Sequence, residues 1–167
     1  PHFDLRKKGG HILVGNQACM WATGGTLYCA GEAGARLGVR NSGAVIVAEG
    51  ASDYPFEYMT EGEAWMLGDF VGKFGSRMTG GIGIIYDPSG LRRGRIDEDY
   101  LAVAVMDDGD LLEKKSRLED YFKKTDSELA GRILENWEQE KFNLVKVVPK
   151  DAVKLAQVVQ MPVASSA

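Results

Sequence analysis

"TGGTLYCAGEAGARLGVRNSGA", residues 23–44, holds six glycines and three charged residues. A flexible linker of this glycine content is irregular and rich in serine. This stretch is regular. Gly24, Gly43, Gly62 and Gly81 stand 19 residues apart. Gly15, Gly34 and Gly72 follow a second track of the same period, with Asp53 in the missing slot, and Gly31 and Gly50 repeat the spacing. Leu27, Ile46, Trp65 and Ile84 align on the period, as do Met59 and Met78. Asn41, Thr60 and Thr79 also align, with Ala22 in the first turn. Self-similarity at a fixed spacing is the signature of a repeat architecture.

The period selects the architecture. Nineteen residues are too few for the paired-helix repeats, which need roughly 33 to 47. Between the glycines lie short β-type runs, "TLYCA", "AVIVAE", "EAWML" and "IGIIY". Each is a run of four to six residues with apolar alternation or a continuous apolar core. Such a strand cannot turn back on itself within one repeat, but it stacks on its equivalent in the next. The result is a parallel β-helix with coils about 4.8 Å apart. Glycines then mark corners and close backbone contacts. On this grid Asn41 stacks with Thr60 and Thr79 as a polar ladder closing a corner, and Arg40 and Glu57 become neighbours.

The pattern changes near Gly90. "PSGLRRGRID" reads as a turn-rich, basic crossing, with "LRRGR" a solvated turn. Residues 100–106 read as one more strand. A helix is predicted from Leu111 to Lys124, with Leu111, Leu112, Leu118, Tyr121 and Phe122 at helical spacing. "TDSE" reads as a capping box from Thr125 to Glu128. The next helix carries Leu129, Ile133, Leu134 and Trp137. "FNLVKVV" is a strand stopped by Pro149, and Asp151 is the expected cap of a last helix through Gln160. The organisation is a β-helix body over 1–108, helices and one strand packed on it over 109–160, and a tail over 161–167.

Composition narrows the function classes. The net charge of −4 gives no support for a nucleic-acid surface. No apolar run approaches the ~18 residues of a membrane span, and no signal peptide is visible. Two cysteines without paired spacing fit a reducing cytoplasm. A start at Pro1 rather than methionine fits a piece of something longer.

Residues that could carry chemistry read as structure. "GDFVGKF" is one residue short of a phosphate loop, and Phe74 stands where a hydroxyl must hold magnesium. "GEAGARLG" falls on the repeat grid. Cys29 lies inside a strand and reads as a small buried hydrophobe. Cys19 follows His11 by eight residues, but no third group is placed to activate a Cys–His pair. His2 and His11 are too few for a zinc site. Glu49, Asp53, Glu57, Glu61, Glu63 and Asp69 read as a solvated acidic face. No catalytic, cofactor-binding or metal-binding residue is assigned.

"GNQACMWATGGTLYCAGEAGARLGVRNSGAVIVAEG", "EYMTEGEAWMLGDFVGKFGSRMTGGIGIIYD" and "ILENWEQEKFNLVKVVP" together resemble the C-terminal glycine-repeat domain of the glutamate synthase large chain. The likeness covers roughly residues 10–149. It implies a right-handed parallel β-helix. It also implies a place in a complex of glutamate biosynthesis and ammonia assimilation, which moves the amide nitrogen of glutamine onto 2-oxoglutarate. In that family FMN and an iron–sulfur cluster belong to a synthase domain, and the nucleophilic cysteine belongs to a glutaminase domain. The β-helix is a scaffold between them. The resemblance therefore transfers no catalytic residue to this chain, and makes the synthase and glutaminase domains or subunits its expected partners.

Two features depart from the family pattern. "ASDYPF" stands where the family reads Gly-Asp-His-Gly-Cys, and the family domain has more coils upstream. The first allows a stand-alone relative, such as a subunit of N-methylglutamate synthase. Formylmethanofuran dehydrogenase carries a related repeat without the helical tail. The second leaves a β-helix end for upstream chain or a partner to cover, and in isolation allows homo-oligomers. The remaining alternative is an autonomous small-ligand binder built around Arg40 and Glu57.

Overall fold

The computed structural model describes residues 11–153. Its centre is a β-solenoid. Strands β1 (Ile12–Val14), β2 (Thr26–Ala33), β3 (Ser42–Asp53), β4 (Glu61–Val71) and β5 (Ile82–Tyr86) pair in parallel, each with the next. The longest of these, β3 and β4, run well past the apolar runs that announce them. Polar residues beyond each run keep pairing because the next coil supplies a strand alongside.

Each coil closes through a corner of alternating left-handed residues. Gln17, Cys19 and Trp21 take φ near +60° in the first coil, and Arg36, Gly38 and Arg40 do so in the second. Tyr54, Phe56 and Tyr58 repeat the device, as do Gly75 and Arg77. Side chains other than glycine disfavour this region. Hydrogen bonds between coils hold them there: Trp21 N–H donates to Val39 O, Arg40 N–H to Glu57 O and Tyr58 N–H to Ser76 O, all at 2.8–2.9 Å.

Two apolar layers share the sheet. Inside the solenoid, Cys29, Ala48, Met66 and Ile85 form a register-matched ladder, with Leu37, Phe56 and Phe74 filling the corner side. On the outer face the ladder is Tyr28, Val47, Trp65 and Ile84, which packs under the helices. This corrects the simple column expected from the period. Leu27 and Ile46 point inward, whereas Trp65 and Ile84 point outward. Ser42 pairs with Glu61, but Val45 pairs with Glu63, and the 19-residue offset returns only at Gly50 and Asp69. Between Ser42 and Gly50 two bulges, one in β3 and one in β4, slip the register by one residue and back, a third slips it again before Asp53 pairs with Val71, and a one-residue slip exchanges the faces.

Asn41 does not ladder with the threonines either. It is fully buried; its Oδ1 accepts from Ala44 N–H (2.9 Å) and its Nδ2 donates to Ala44 O (2.9 Å). Thr60 and Thr79 are exposed.

The far end is closed by reversed strands. β7 (Leu144–Pro149) pairs antiparallel with β5, and β6 (Leu101–Ala104) pairs antiparallel with β7. β6 therefore does not continue the repeat. Helix α1 (Asp108–Thr125) begins on the Asp107 side chain, which accepts from Asp110 N–H. Its left-handed end residue is Asp126, and Ser127, not Thr125, caps α2 (Glu128–Glu135). The cap moves because α1 runs to Thr125, whose hydroxyl bonds back to Tyr121 O. The short α3 (Trp137–Glu140) buries Trp137. Residues 150–153 start a last helix one residue before Asp151; its expected course to Gln160 and the tail lie outside the described residues.

Glycine is required where coils touch. A Cβ at Gly62 would lie 2.4 Å from Ala44 O, on backbone at φ +95°. Gly24 holds the same place in the first coil, and no described atom lies within 4 Å of its Cβ position. Gly62→Ala is therefore expected to cost about 3 kcal/mol. Gly24→Ala should stay within about 0.5 kcal/mol of the parent. Denaturant unfolding of the two variants checks both values.

Candidate functional site

The richest polar cluster lies between the sheet and α1. Lys114 is 1% exposed, and its Nζ donates to Glu63 Oε1 at 2.7 Å and to Glu113 Oε1 at 2.9 Å. Arg117 approaches the other Glu63 oxygen at 3.7 Å. Tyr28 donates to Asp120 at 2.7 Å. Deeper in, Tyr121 donates to Glu49 at 2.9 Å, and Ser127 also donates to Glu49. Burial, with the Glu49 carboxylate beside it, pushes the Tyr121 hydroxyl far above its ordinary pKa. Every strong acceptor here is met by a donor of the same fold, so the cluster clamps α1 and α2 to the sheet. Glu49 and Glu63 thus leave the solvated acidic face expected for them. Asp69 stays on it, 71% exposed at its side chain, paired with Arg95 at 2.8 Å.

The basic turn is less free than its sequence suggests. Residues Arg92–Arg95 form a 3-10 turn whose backbone N–H groups at Arg92 and Arg93 bind Asp87 at 3.0 Å each. Arg92 also donates to Tyr86 O, and Arg95 to Phe70 O. Asp97, next along, accepts from Ser76 and Lys73.

Neither thiol is activated. Cys29 is 3% exposed in the inner ladder; burial first, and Glu49 second, push its pKa up to about 11. Cys19 occupies a left-handed corner, where burial also raises its pKa. "GDFVGKF" runs from the end of β4 into a corner and opens no helix. Among the described residues no group of three or more His, Cys, Asp or Glu side chains is arranged to hold a metal. His2 lies outside them.

Arg40 and Glu57 do meet, through the backbone bond between Arg40 N–H and Glu57 O. Their side chains part. Glu57 pairs with Arg36 at 3.8 Å, and the Arg40 guanidinium lies over the Tyr58 ring.

Among the described residues the first coil is the least covered. Its inward residues Val14, Ala18, Ala22 and Leu27 are only partly covered, whereas Ala33, Leu37 and Ile46 in the next coil are fully buried. Ile12 and Trp21 are more than 60% exposed. Residues 9–31 contain no Asp, Glu, Lys or Arg. Free sheet edges normally carry such charges as protection against pairing. Gly15 and Gly24 have no described atom within 4 Å of their Cβ positions, whereas a Cβ at Gly34 would lie 2.4 Å from Asn16 Oδ1 and one at Gly43 2.5 Å from Thr23 O, both in the first coil. The sequence signal for this end was the lack of charge. The pairing of Lys114 with Glu63, 51 residues apart, carried no local signal.

The sequence profile of the GXGXG motif family matches residues 4–150. The chain is 36% identical over 143 residues to the glutamate synthase [NADPH] large chain of Bacillus subtilis, covering 84% of this chain and 9% of the relative. It is 33% identical over 152 residues to the glutamate synthase [NADH] of Schizosaccharomyces pombe, covering 90% and 7%. Against the ferredoxin-dependent glutamate synthase of Antithamnion sp. the identity is 36% over 150 residues, covering 89% and 10%. The chain thus spans a tenth or less of the length of these relatives.

Lys114→Met leaves Glu63 buried with Arg117 alone, and should cost about 3 kcal/mol in denaturant unfolding. Ellman's reagent should titrate no more than one thiol in the folded chain, and Cys29 only after unfolding.

Proposed function

Because this chain belongs to the GXGXG motif family, we propose that it is a non-catalytic structural unit of a cytoplasmic glutamate synthase-type assembly. The assembly transfers the amide nitrogen of glutamine to 2-oxoglutarate. This chain holds the synthase and glutaminase parts at a fixed separation.

One observation carries the reading: the first coil keeps the stacking glycines Gly15 and Gly24 although no described residue stacks on them. At the Gly24 place later coils need glycine, because the Thr23 and Ala44 backbones exclude a Cβ from Gly43 and Gly62, and the backbone at Gly15 and Asn16 excludes one from Gly34 in the same way, whereas the third coil carries Asp53 at the Gly15 place. An uncharged, half-covered coil with the same glycines is built to receive further protein. At the opposite end the antiparallel β7 and β6 stop the parallel repeat, so further coils are added at the first coil.

The reading places FMN and the iron–sulfur cluster in the synthase partner. In support, this chain has two cysteines, whereas a cluster typically takes about four thiolates. Cys29, with its pKa raised to about 11, is a poor thiolate source.

The experiment is a native pull-down with mass spectrometry of all retained chains. An FMN and iron–sulfur synthase chain with a glutaminase chain is the expected result, as is one polypeptide containing both. A chain recovered alone overturns the proposal. Gly24→Val should leave the isolated chain within about 0.5 kcal/mol of the parent yet lose the retained partner. Retention by that variant would remove the open end from the interface.

A further inference from the structure

We propose that the corner column Trp21, Arg40, Tyr58 and Arg77 is a docking surface for an acidic, extended protein segment. The four residues hold one corner position in four successive coils. Their φ values are 60°, 55°, 54° and 55°. Four large side chains in the left-handed region, one above another, give a row of alternating aromatic ring and guanidinium. The proposal rests on this geometry and needs no particular assembly.

The row is exposed and its charge is unspent. Trp21 is 64% exposed and Tyr58 38%. The Arg40 and Arg77 guanidiniums lie 5.5 and 5.8 Å from the centroid of the same Tyr58 ring. Neither has a carboxylate within ion-pair distance among the described residues. Neighbouring cations do: Arg36 has Glu57 at 3.8 Å, Lys73 has Asp97 at 3.3 Å and Arg95 has Asp69 at 2.8 Å. On a chain of net charge −4 these two guanidiniums are left available.

The chemistry selects the partner. Trp, Tyr and Arg are the residue types that dominate protein–protein hot spots. Arg40 and Arg77 are two coil steps apart, about 10 Å. That matches carboxylates three residues apart on an extended polyproline-II segment, which has three residues per turn and rises about 3.1 Å per residue, so that both face the row. The Tyr58 ring between them and Trp21 beside Arg40 cover the aliphatic part of such a segment and strengthen the charge contacts by excluding water. A nucleic acid fits less well: two free cations release few counterions, and the net negative charge repels a polyanion.

The test uses the full chain and a fluorescein-labelled proline-rich peptide, extended as polyproline II, with glutamate at every third position. Its glutamine counterpart and an oligothymidylate of equal length serve as competitors. The glutamate peptide is expected to raise anisotropy at low salt and to shift the emission of Trp21, the exposed tryptophan; Trp65 and Trp137 are buried. The double variant Arg40→Gln/Arg77→Gln should bind about tenfold more weakly or worse. Arg132→Gln, on the exposed face of α2, should bind as the parent does. Gln17 already takes φ 59° at a neighbouring corner position, so glutamine suits this backbone, and a melting curve checks the fold. Equal binding by parent and double variant, no binding at millimolar peptide, or preferential competition by oligothymidylate would each overturn the proposal.

Discussion

The structure depends on one contact, the approach of each coil's backbone to the Cα atoms of the next. Strands about 4.8 Å apart leave no room for a Cβ where the chain crosses from corner to strand. A Cβ at Gly43 would lie 2.5 Å from Thr23 O, and one at Gly62 would lie 2.4 Å from Ala44 O. The constraint sets the glycine period, and the period sets the length available for everything else. Closing a coil in 19 residues takes a corner tighter than ordinary turns allow, and the alternating left-handed residues supply it. Their strain is held by hydrogen bonds to the adjacent coils, so a corner is stable only as part of a stack.

The same sheet serves two cores. Its inner face is lined with small and flexible side chains, Cys29, Ala48 and Met66, which fit the narrow space between facing walls. Its outer face carries Tyr28, Trp65 and Tyr86, which need the deeper cover of α1, α2 and α3. The outer layer includes charge. Lys114 and Glu63 are both buried, and such a pair contributes geometry more than net stability, since desolvation offsets much of its attraction. It fixes where α1 crosses β4. The Trp65 Nε1 is buried without a hydrogen-bond partner, a cost of roughly 1–3 kcal/mol. Packing of the large ring on the helical cover offsets it.

The repeat, the parallel stacking and the C-terminal helices were legible because each is a periodic or local property. Cys29 could be read as core from its place in a strand. The alignment of Leu27, Ile46, Trp65 and Ile84 was also legible, but its meaning was not. Equal spacing does not show that a bulge in β3 is repaid by a second in β4, and the slip between them turns Trp65 outward. The "TDSE" box held the cap, but at Ser127, two positions beyond Thr125, because where α1 ends depends on Tyr121 anchoring its last turn. Glu49 and Glu63 looked solvated because nothing near them in the chain is basic. Their partners, Tyr121 and Lys114, arrive from a helix that begins more than 40 residues later.

The sequence by itself determined the coil: its length, its glycines, its strands and the point near Gly90 where the repeat stops. These follow from short-range sterics repeated at a fixed interval. Tertiary structure alone decided which face each strand residue takes, which charges are buried, and that β7 reverses against β5 where the repeat stops. Those outcomes depend on register and on contacts between distant segments, and a single residue of slip exchanges the two faces of a strand.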